Sequence, residues 1–163
     1  MMRKLRFTRM LAGFALLYPA YTPGASLDAG IIAGDPTGLS VKGWLNDSQA
    51  IDFAASWSND NRDKRYIHAD YLHHDYTLIN AANGEMPVYY GIGARLLDRD
   101  DRKTHAGIRI PVGLDYRMDK LPLSLFAEVV PRLDLTPDTD FELDGAIGIR
   151  YRFMGGTRGQ KNR

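Results

Sequence analysis

The segment from Phe141 to Phe153 constrains the fold of this chain most, because apolar and polar residues alternate along it up to a final aromatic residue. One set of alternate positions is uncharged throughout: Phe141, Leu143, Gly145, Ile147, Ile149, Tyr151 and Phe153. The intervening set carries four charges: Glu142, Asp144, Arg150 and Arg152. Successive side chains of a strand point to opposite faces, so the segment predicts a strand with one apolar and one charged face.

The first 25 residues have the pattern of a secretory signal. Four basic residues between positions 3 and 9 precede an apolar run from Met10 to Tyr18, and Gly24 and Ala25 offer a cleavage site near Ala25. The apolar run is shorter than the roughly 20 residues that a membrane-spanning helix needs. We therefore expect residues 1–25 to direct export. Their removal takes away four basic residues and no acidic one, so the rest of the chain is net negative although the whole chain is formally +1.

Two features of composition exclude some classes of site. The chain has no cysteine, which excludes a disulfide framework, a thiolate metal centre and a lipidated cysteine. Beyond the signal the basic residues are scattered among acids and form no basic stripe, so we expect no nucleic-acid partner. No catalytic, cofactor-binding or metal-ligating residue is predicted, and no cofactor.

Residues 27–153 divide into eight segments of period 2 separated by turn residues. The predicted strands are 27–34, 39–46, 49–58, 65–78, 87–97, 104–117, 122–134 and 141–153. Because every connection is short, neighbours in sequence should pair antiparallel, and closing such a meander removes both of its edges. The pattern predicts an all-β fold, an eight-stranded antiparallel up-and-down barrel over residues 26–153. A polar, basic tail of residues 154–163 follows, which we expect to be disordered.

If the barrel is soluble, the apolar faces of these strands point to its interior; if the barrel spans a membrane, they point outward to lipid. Phe141 and Tyr151 are ten residues apart on the apolar face. That spacing is about 33 Å along a strand, or roughly 25 Å of height at a tilt near 40°, which matches the apolar band between the aromatic girdles of a transmembrane barrel. The pattern favours lipid outside. The alternative is a soluble periplasmic barrel of lipocalin type that binds a small apolar ligand.

The last strand also contains a spacing of glycine, two residues, aromatic, one residue, aromatic, formed by Gly148, Tyr151 and Phe153. This spacing is similar to the terminal-strand signal that the outer-membrane barrel assembly machinery reads. It departs from the usual pattern in one respect, because ten residues follow Phe153.

Several segments together resemble a family of small bacterial outer-membrane barrels, related in architecture to the OmpA and OmpX transmembrane domains. The similar segments are Asp35–Ser40, His68–Leu72, Gly91–Arg95, Ile108–Gly113 and Leu133–Phe141. The resemblance extends over residues 27–153. It implies a transmembrane β-barrel in the outer membrane of a Gram-negative cell, and it brings no established catalytic residues with it.

An eight-stranded barrel is just wide enough for side chains to fill it, so we expect a filled lumen and no open pore. A buried charge without a partner is costly, so the inward charges should form ion pairs. The predicted interior network consists of Lys42, Asp52, Asp70, Arg95, Arg109, Asp115, Glu128, Arg132, Asp144 and Arg150. We expect it to be centred on pairs of Arg95, Arg109 and Arg150 with Asp52, Glu128 and Asp144. Inward glycines at 91, 93, 107 and 113 should make room for the arginines.

A second alternative is an enzyme, since some eight-stranded outer-membrane barrels modify lipid A with a His, a Ser and an acid at the outer rim. The histidines of this chain are His68, His73, His74 and His105, and His105 has no serine near it in sequence. We therefore predict a structural or interaction role rather than catalysis. The expected protein is a monomer whose partners are outer-membrane lipid and, during biogenesis, the assembly machinery.

Two further expectations concern backbone geometry and orientation. Pro111 and Pro131 lie inside predicted strands, where each removes one ladder hydrogen bond, so bulges or kinks are expected at both. Both chain termini should face the periplasm. The connections 35–38, 59–64, 98–103 and 136–140 then face outside, and 46–48, 80–85 and 118–121 face the periplasm.

Overall fold

A computed structural model describes residues 26–58, 64–98 and 104–153. These residues form eleven strands: β1 (Leu27–Gly34), β2 (Gly38–Trp44), β3 (Gln49–Ser58), β4 (Lys64–Asp75), β5 (Asn80–Ala81), β6 (Gly84–Glu85), β7 (Val88–Asp98), β8 (Thr104–Arg109), β9 (Val112–Met118), β10 (Leu123–Thr136) and β11 (Asp140–Arg152). Over the same three ranges, no helix is long and apolar enough to cross a membrane. The predicted signal, the tips of two predicted outer connections (59–63 and 99–103) and the predicted tail lie outside the described residues.

The strands form one closed antiparallel barrel. Consecutive long strands pair along the chain, and β11 pairs with β1, which closes the sheet. β8 and β9 both pair with β7 on one side and with β10 on the other, so they are two halves of one barrel strand. The barrel therefore has eight strands, and the predicted eight-stranded antiparallel fold is confirmed.

The two ends of the barrel differ in their connections. The terminal end holds the start of β1 and the end of β11, together with the β2–β3, β4–β7 and β9–β10 connections. The distal end holds the β1–β2, β3–β4, β7–β8 and β10–β11 connections. The β4–β7 connection is longer than the predicted turn, because it contains the small hairpin β5–β6, which pairs with the end of β9. Predicted strand 65–78 is accordingly too long, and β4 ends at Asp75.

Only one of the two prolines interrupts a strand. Pro111 separates β8 from β9, and the pairings of both halves with β7 and β10 continue in the same register across the break. Pro131 lies within an unbroken β10, and its carbonyl accepts a hydrogen bond from the Ile110 amide at 2.9 Å. The expectation of a bulge at Pro131 is wrong, because the irregularity of β10 lies between Asp134 and Thr136, where its register with β8 shifts.

Polarity is inverted relative to a soluble domain. Along β10 and β11 the positions that alternate inward are mostly buried, and among them are Glu128, Arg132, Asp144 and Arg150. The outward positions expose large apolar side chains, and 27 large hydrophobic residues of the described chain are exposed. The soluble lipocalin-like alternative needs the apolar faces inside, so the structure contradicts it.

Candidate functional site

Within residues 26–58, 64–98 and 104–153, many polar and charged side chains are buried in the lumen. Each of the ten residues predicted for the interior network is buried, with at most 7 % of its surface exposed. Period-2 alternation puts them there, since each lies on a strand whose opposite face is apolar. Their contacts divide into three groups along the barrel axis.

The terminal cluster, which comprises Asp28, Lys42, Trp44, His74 and Asp115, lies nearest the chain termini. The Lys42 ammonium donates to Asp115 Oδ2 at 2.8 Å and lies 3.2 Å from His74 Nε2. It also lies 5.5 Å from the centre of the Trp44 ring, which is within the range of a cation–π contact. Trp44 Nε1 donates to Asp28 Oδ2 at 2.8 Å. Lys42 is thus held like a bound cation between a carboxylate, an imidazole and an aromatic face.

The central network, which comprises Tyr66, Asp70, Tyr89, Arg109 and Glu128, lies on the inner face of the neighbouring strands β4, β7, β8 and β10. The fully buried Arg109 donates through Nε to Asp70 at 3.1 Å, through Nη2 to Glu128 at 3.5 Å, and through Nη1 to the Tyr66 hydroxyl. Tyr89 donates to the second oxygen of Glu128 at 2.8 Å. Every member is held by at least one other, so these side chains form a connected hydrogen-bonded layer inside the barrel.

Arg150 forms a second bridge at this level. Its guanidinium donates to Asp52 at 2.7 Å and to the Ser40 hydroxyl at 2.8 Å, and it lies 3.7 Å from the centre of the Phe126 ring. The Phe126 ring in turn covers Gly148, where an added Cβ would collide with it. Gly148 of the predicted assembly signal therefore also has a packing role.

The distal cluster, which comprises Arg95, Arg132, Asp134, Glu142 and Asp144, fills the other end. Arg132 lies 3.0 Å from Asp134 and 2.7 Å from Asp144, and it also contacts Glu142. Arg95 donates through Nε to Asp134 at 2.8 Å, with a second bond through Nη2. Five charged groups thus share this end of the lumen, with Arg132 paired to three acids.

The pairing pattern differs in part from the expected one. Within the expected set, Arg109 lies 3.5 Å from Glu128 and Arg150 lies 2.7 Å from Asp52. Asp144, however, pairs with Arg132, and Arg95 pairs with Asp134. The predicted network left out Asp28 and the uncharged Trp44, Tyr66 and Tyr89, although the inward positions of all four follow from the same alternation.

The inward glycines lie where the arginines and tyrosines need space. A Cβ added at Gly93 would collide with the Asp70 carboxylate, and one at Gly113 would collide with the Tyr89 ring. A Cβ at Gly107 would meet the Asp134 carboxylate. These positions cannot take a larger residue without displacing a member of the network, so the lumen is filled by side chains.

Two histidines lie inside the lumen. His68 is buried beside Tyr66 and Asp70, with Nε2 3.6 Å from an Asp70 oxygen, and His74 belongs to the terminal cluster. Neither hydrogen-bonds to a serine hydroxyl in the part of the chain that the structure describes. Residues 26–58, 64–98 and 104–153 also contain no group of His, Cys, Asp and Glu side chains that could hold a metal ion.

Comparison with known proteins bears on the fold. No family model matches the chain, and no curated protein matches it in sequence. The N-terminal β-barrel domain of Pseudomonas aeruginosa OprF matches in structure with a TM-score of 0.55 at 14% identity, over 81% of this chain and 98% of that domain. The fold resembles that of a small outer-membrane β-barrel. A structure from the de novo design of transmembrane β-barrels has a TM-score of 0.43 at 15% identity, over 80% and 97% of the two chains.

Proposed function

We propose that this protein is an integral β-barrel of the bacterial outer membrane with a side-chain-filled lumen and a structural or interaction role. One observation carries the proposal: the barrel buries its charges and exposes its large apolar side chains. Water would make such an exposed apolar surface unfavourable, whereas hydrocarbon solvates it. Closed strands satisfy their backbone hydrogen bonds internally, which a bilayer requires.

The direct test is membrane fractionation followed by gel electrophoresis of unboiled and boiled samples. We expect the chain in the outer-membrane fraction, with a folded band that shifts in mobility only after heating. Recovery as a folded, detergent-free protein in the soluble fraction would contradict the proposal.

The filled lumen predicts the absence of a conductance. The central network and Arg150 close the barrel across its middle, so the chain reconstituted in a planar bilayer should give negligible steady current at any salt concentration. A steady conductance that changes with Glu128→Gln would contradict the filled lumen and would favour a pore.

The proposed orientation puts the chain termini and the terminal end in the periplasm. Because the chain has no cysteine, single substitutions report on each end without background. Cysteine in place of the exposed Asp138, in the distal β10–β11 connection, should react with an impermeant thiol reagent on intact cells. Cysteine in place of the exposed Asn83, between β5 and β6, should react only after the outer membrane is permeabilised. The reverse pattern would show the opposite orientation.

Biogenesis through the barrel assembly machinery is part of the same proposal. Tyr151 and Phe153 both expose much of their side chains on the outer surface, and their rings lie 4.8 Å apart at the end of β11. An exposed aromatic pair on the closing strand is available to a partner before the barrel closes. Residues 154–163, which follow this pair, lie outside the described residues.

A further inference from the structure

Each of the three connections at the terminal end exposes one leucine. Leu45 in the β2–β3 connection is 52% exposed, Leu78 in the β4–β7 connection is 63% exposed, and Leu121 in the β9–β10 connection is 51% exposed. The two distal connections that the structure describes, 35–37 and 137–139, contain only Asp, Pro and Thr. The two ends of the barrel therefore differ in the polarity of their turns.

The three leucines are held on ordered turns. Asn46 Oδ1 accepts hydrogen bonds from the Ser48 and Gln49 amides, which shapes the turn after Leu45. Asp75 Oδ1 accepts from the Thr77 amide at 2.8 Å, which shapes the chain just before Leu78. Each turn thus has side-chain bonds of its own that set the position of its leucine.

The third turn is held by the last strand. Arg152 donates through Nη2 to the carbonyl oxygens of Met118 and Leu121, the latter at 2.8 Å. Its amide also donates to the Pro122 carbonyl at 2.8 Å. The carbonyl of Leu121 is therefore held in place while about half of the residue's surface is exposed.

Leu121 and Leu45 continue the apolar outer surface of the barrel, and Leu78 is exposed at the same end. Leu123, two residues after Leu121, pairs with the exposed Tyr151. Phe153 is exposed and donates its amide to the carbonyl of the exposed Leu27, which starts the neighbouring strand that pairs with β2. An apolar band thus runs around the terminal end from Leu121 across β11 and β1 towards Leu45. A separate soluble protein partner would not need this continuity with the outer surface.

We propose that Leu45, Leu78 and Leu121 insert into the lipid interface, so that these three side chains lie at the edge of one leaflet of the bilayer while the polar residues of their turns and the described distal turns lie in water. The inference rests on the proposed membrane placement of the barrel and deepens it. The occupant of this surface is lipid at the boundary between headgroups and acyl chains, where exposed aromatic and aliphatic side chains are stabilised. The polar distal turns have no such anchor.

The test uses the full chain isolated from the cell and reconstituted into vesicles of phosphatidylcholine and phosphatidylglycerol. Single cysteines carrying a nitroxide spin label replace Leu45, Leu78 or Leu121 in turn, and the labelled Asp138→Cys chain serves as the distal control. Ile110→Cys is the reference for hydrocarbon, since Ile110 is exposed on the outer surface. The collision rate of each label is measured with oxygen, which concentrates in hydrocarbon, and with a nickel chelate, which stays in water. The heat-shifted gel band verifies folding of every labelled chain.

We expect the oxygen-to-nickel ratio at all three leucine positions to exceed the ratio at position 138 several-fold and to approach the ratio at position 110. If position 110 reports hydrocarbon while the leucine positions collide with nickel as readily as position 138, the inference is wrong and the membrane placement stands. If position 110 itself reports water, the proposed function fails, and the inference with it.

A second measurement avoids labels and distinguishes lipid from a protein partner. In the purified chain in vesicles, the combined Leu45→Asn, Leu78→Asn and Leu121→Asn variant should unfold at a lower urea concentration than the unmodified chain. The control variant, Asp138→Asn with Thr139→Asn, changes two exposed distal residues and should leave the midpoint unchanged. The purified sample contains lipid and no protein partner, so contacts of the leucines with lipid should appear as a change in the midpoint. An unchanged midpoint in the leucine variant would therefore overturn the inference.

Discussion

Replacing Arg109 with methionine is expected to lower the free energy of unfolding of the lipid-embedded barrel by about 3–5 kcal/mol. Arg109 is fully buried and is the cation paired with both Asp70 and Glu128, so its loss leaves two carboxyl groups in the lumen without that partner. Methionine keeps much of the side-chain volume, so the loss of charge dominates. Urea titration in vesicles measures the effect, with the temperature at which the folded gel band disappears as a second readout.

Two controls separate the ion pairs from general damage. Asp138→Asn removes a charge from the exposed distal β10–β11 turn and should change the free energy of unfolding by less than about 0.5 kcal/mol. Adding Asp70→Asn or Glu128→Gln to Arg109→Met should give a loss smaller than the sum of the single losses, because each removes an unpaired charge. The coupling should be larger with Asp70, at 3.1 Å from Arg109, than with Glu128, at 3.5 Å. Strictly additive losses would show that these residues are not energetically paired.

Arginine at position 110 should cost about 2–4 kcal/mol, the penalty for a basic residue near the midplane of a barrel's lipid-facing surface. Ile110 lies between β8 and β9 and is 51% exposed on the outer surface of the barrel. In a bilayer its replacement puts a guanidinium into hydrocarbon. We expect Ile110→Arg to lower the urea midpoint in vesicles and to reduce the folded fraction in the outer membrane.

The matched control is Leu135→Arg. Leu135 is 49% exposed on the outer surface but lies at the distal end of β10, where the side chain can reach the headgroups. The penalty near the interface is only about 0–1 kcal/mol, so this variant should fold almost normally. Equal and small effects at both positions would mean that the apolar belt does not face hydrocarbon.

The closed barrel could be predicted from the sequence because three local properties agree. Period-2 alternation, as in Phe141–Phe153, puts apolar residues on one face of a strand and charged residues on the other. Once the apolar faces are assigned to the outside of the barrel, the charged residues of each strand are assigned to the inside. Short connections allow consecutive strands to pair only in the antiparallel direction, because a parallel pair needs a long crossover connection. An even number of strands without a protected edge then favours closure. None of these steps requires knowledge of a long-range contact.

The backbone irregularity could be predicted only in part. Both prolines remove a ladder hydrogen bond, yet Pro111 ends β8 while Pro131 stays within β10. A proline's effect depends on where its missing amide would point relative to the neighbouring strands, and that depends on the register, which the sequence does not state.

The sequence by itself determined which face of each strand turns to the lumen, whereas only the tertiary structure decided which of the lumen residues meet. Arg95 and Asp144 were both predicted to be inward, yet Arg95 pairs with Asp134 and Asp144 pairs with Arg132. Arg109 reaches Asp70, on β4, over Gly93 of the intervening β7, with which both residues are paired. The strands of a barrel are tilted and staggered, so residues of equal height come from different positions along each strand. Each arginine then pairs with an acid of similar height that its flexible side chain can reach. Alternation along one strand contains no information about the stagger between strands or about the conformation of the arginine.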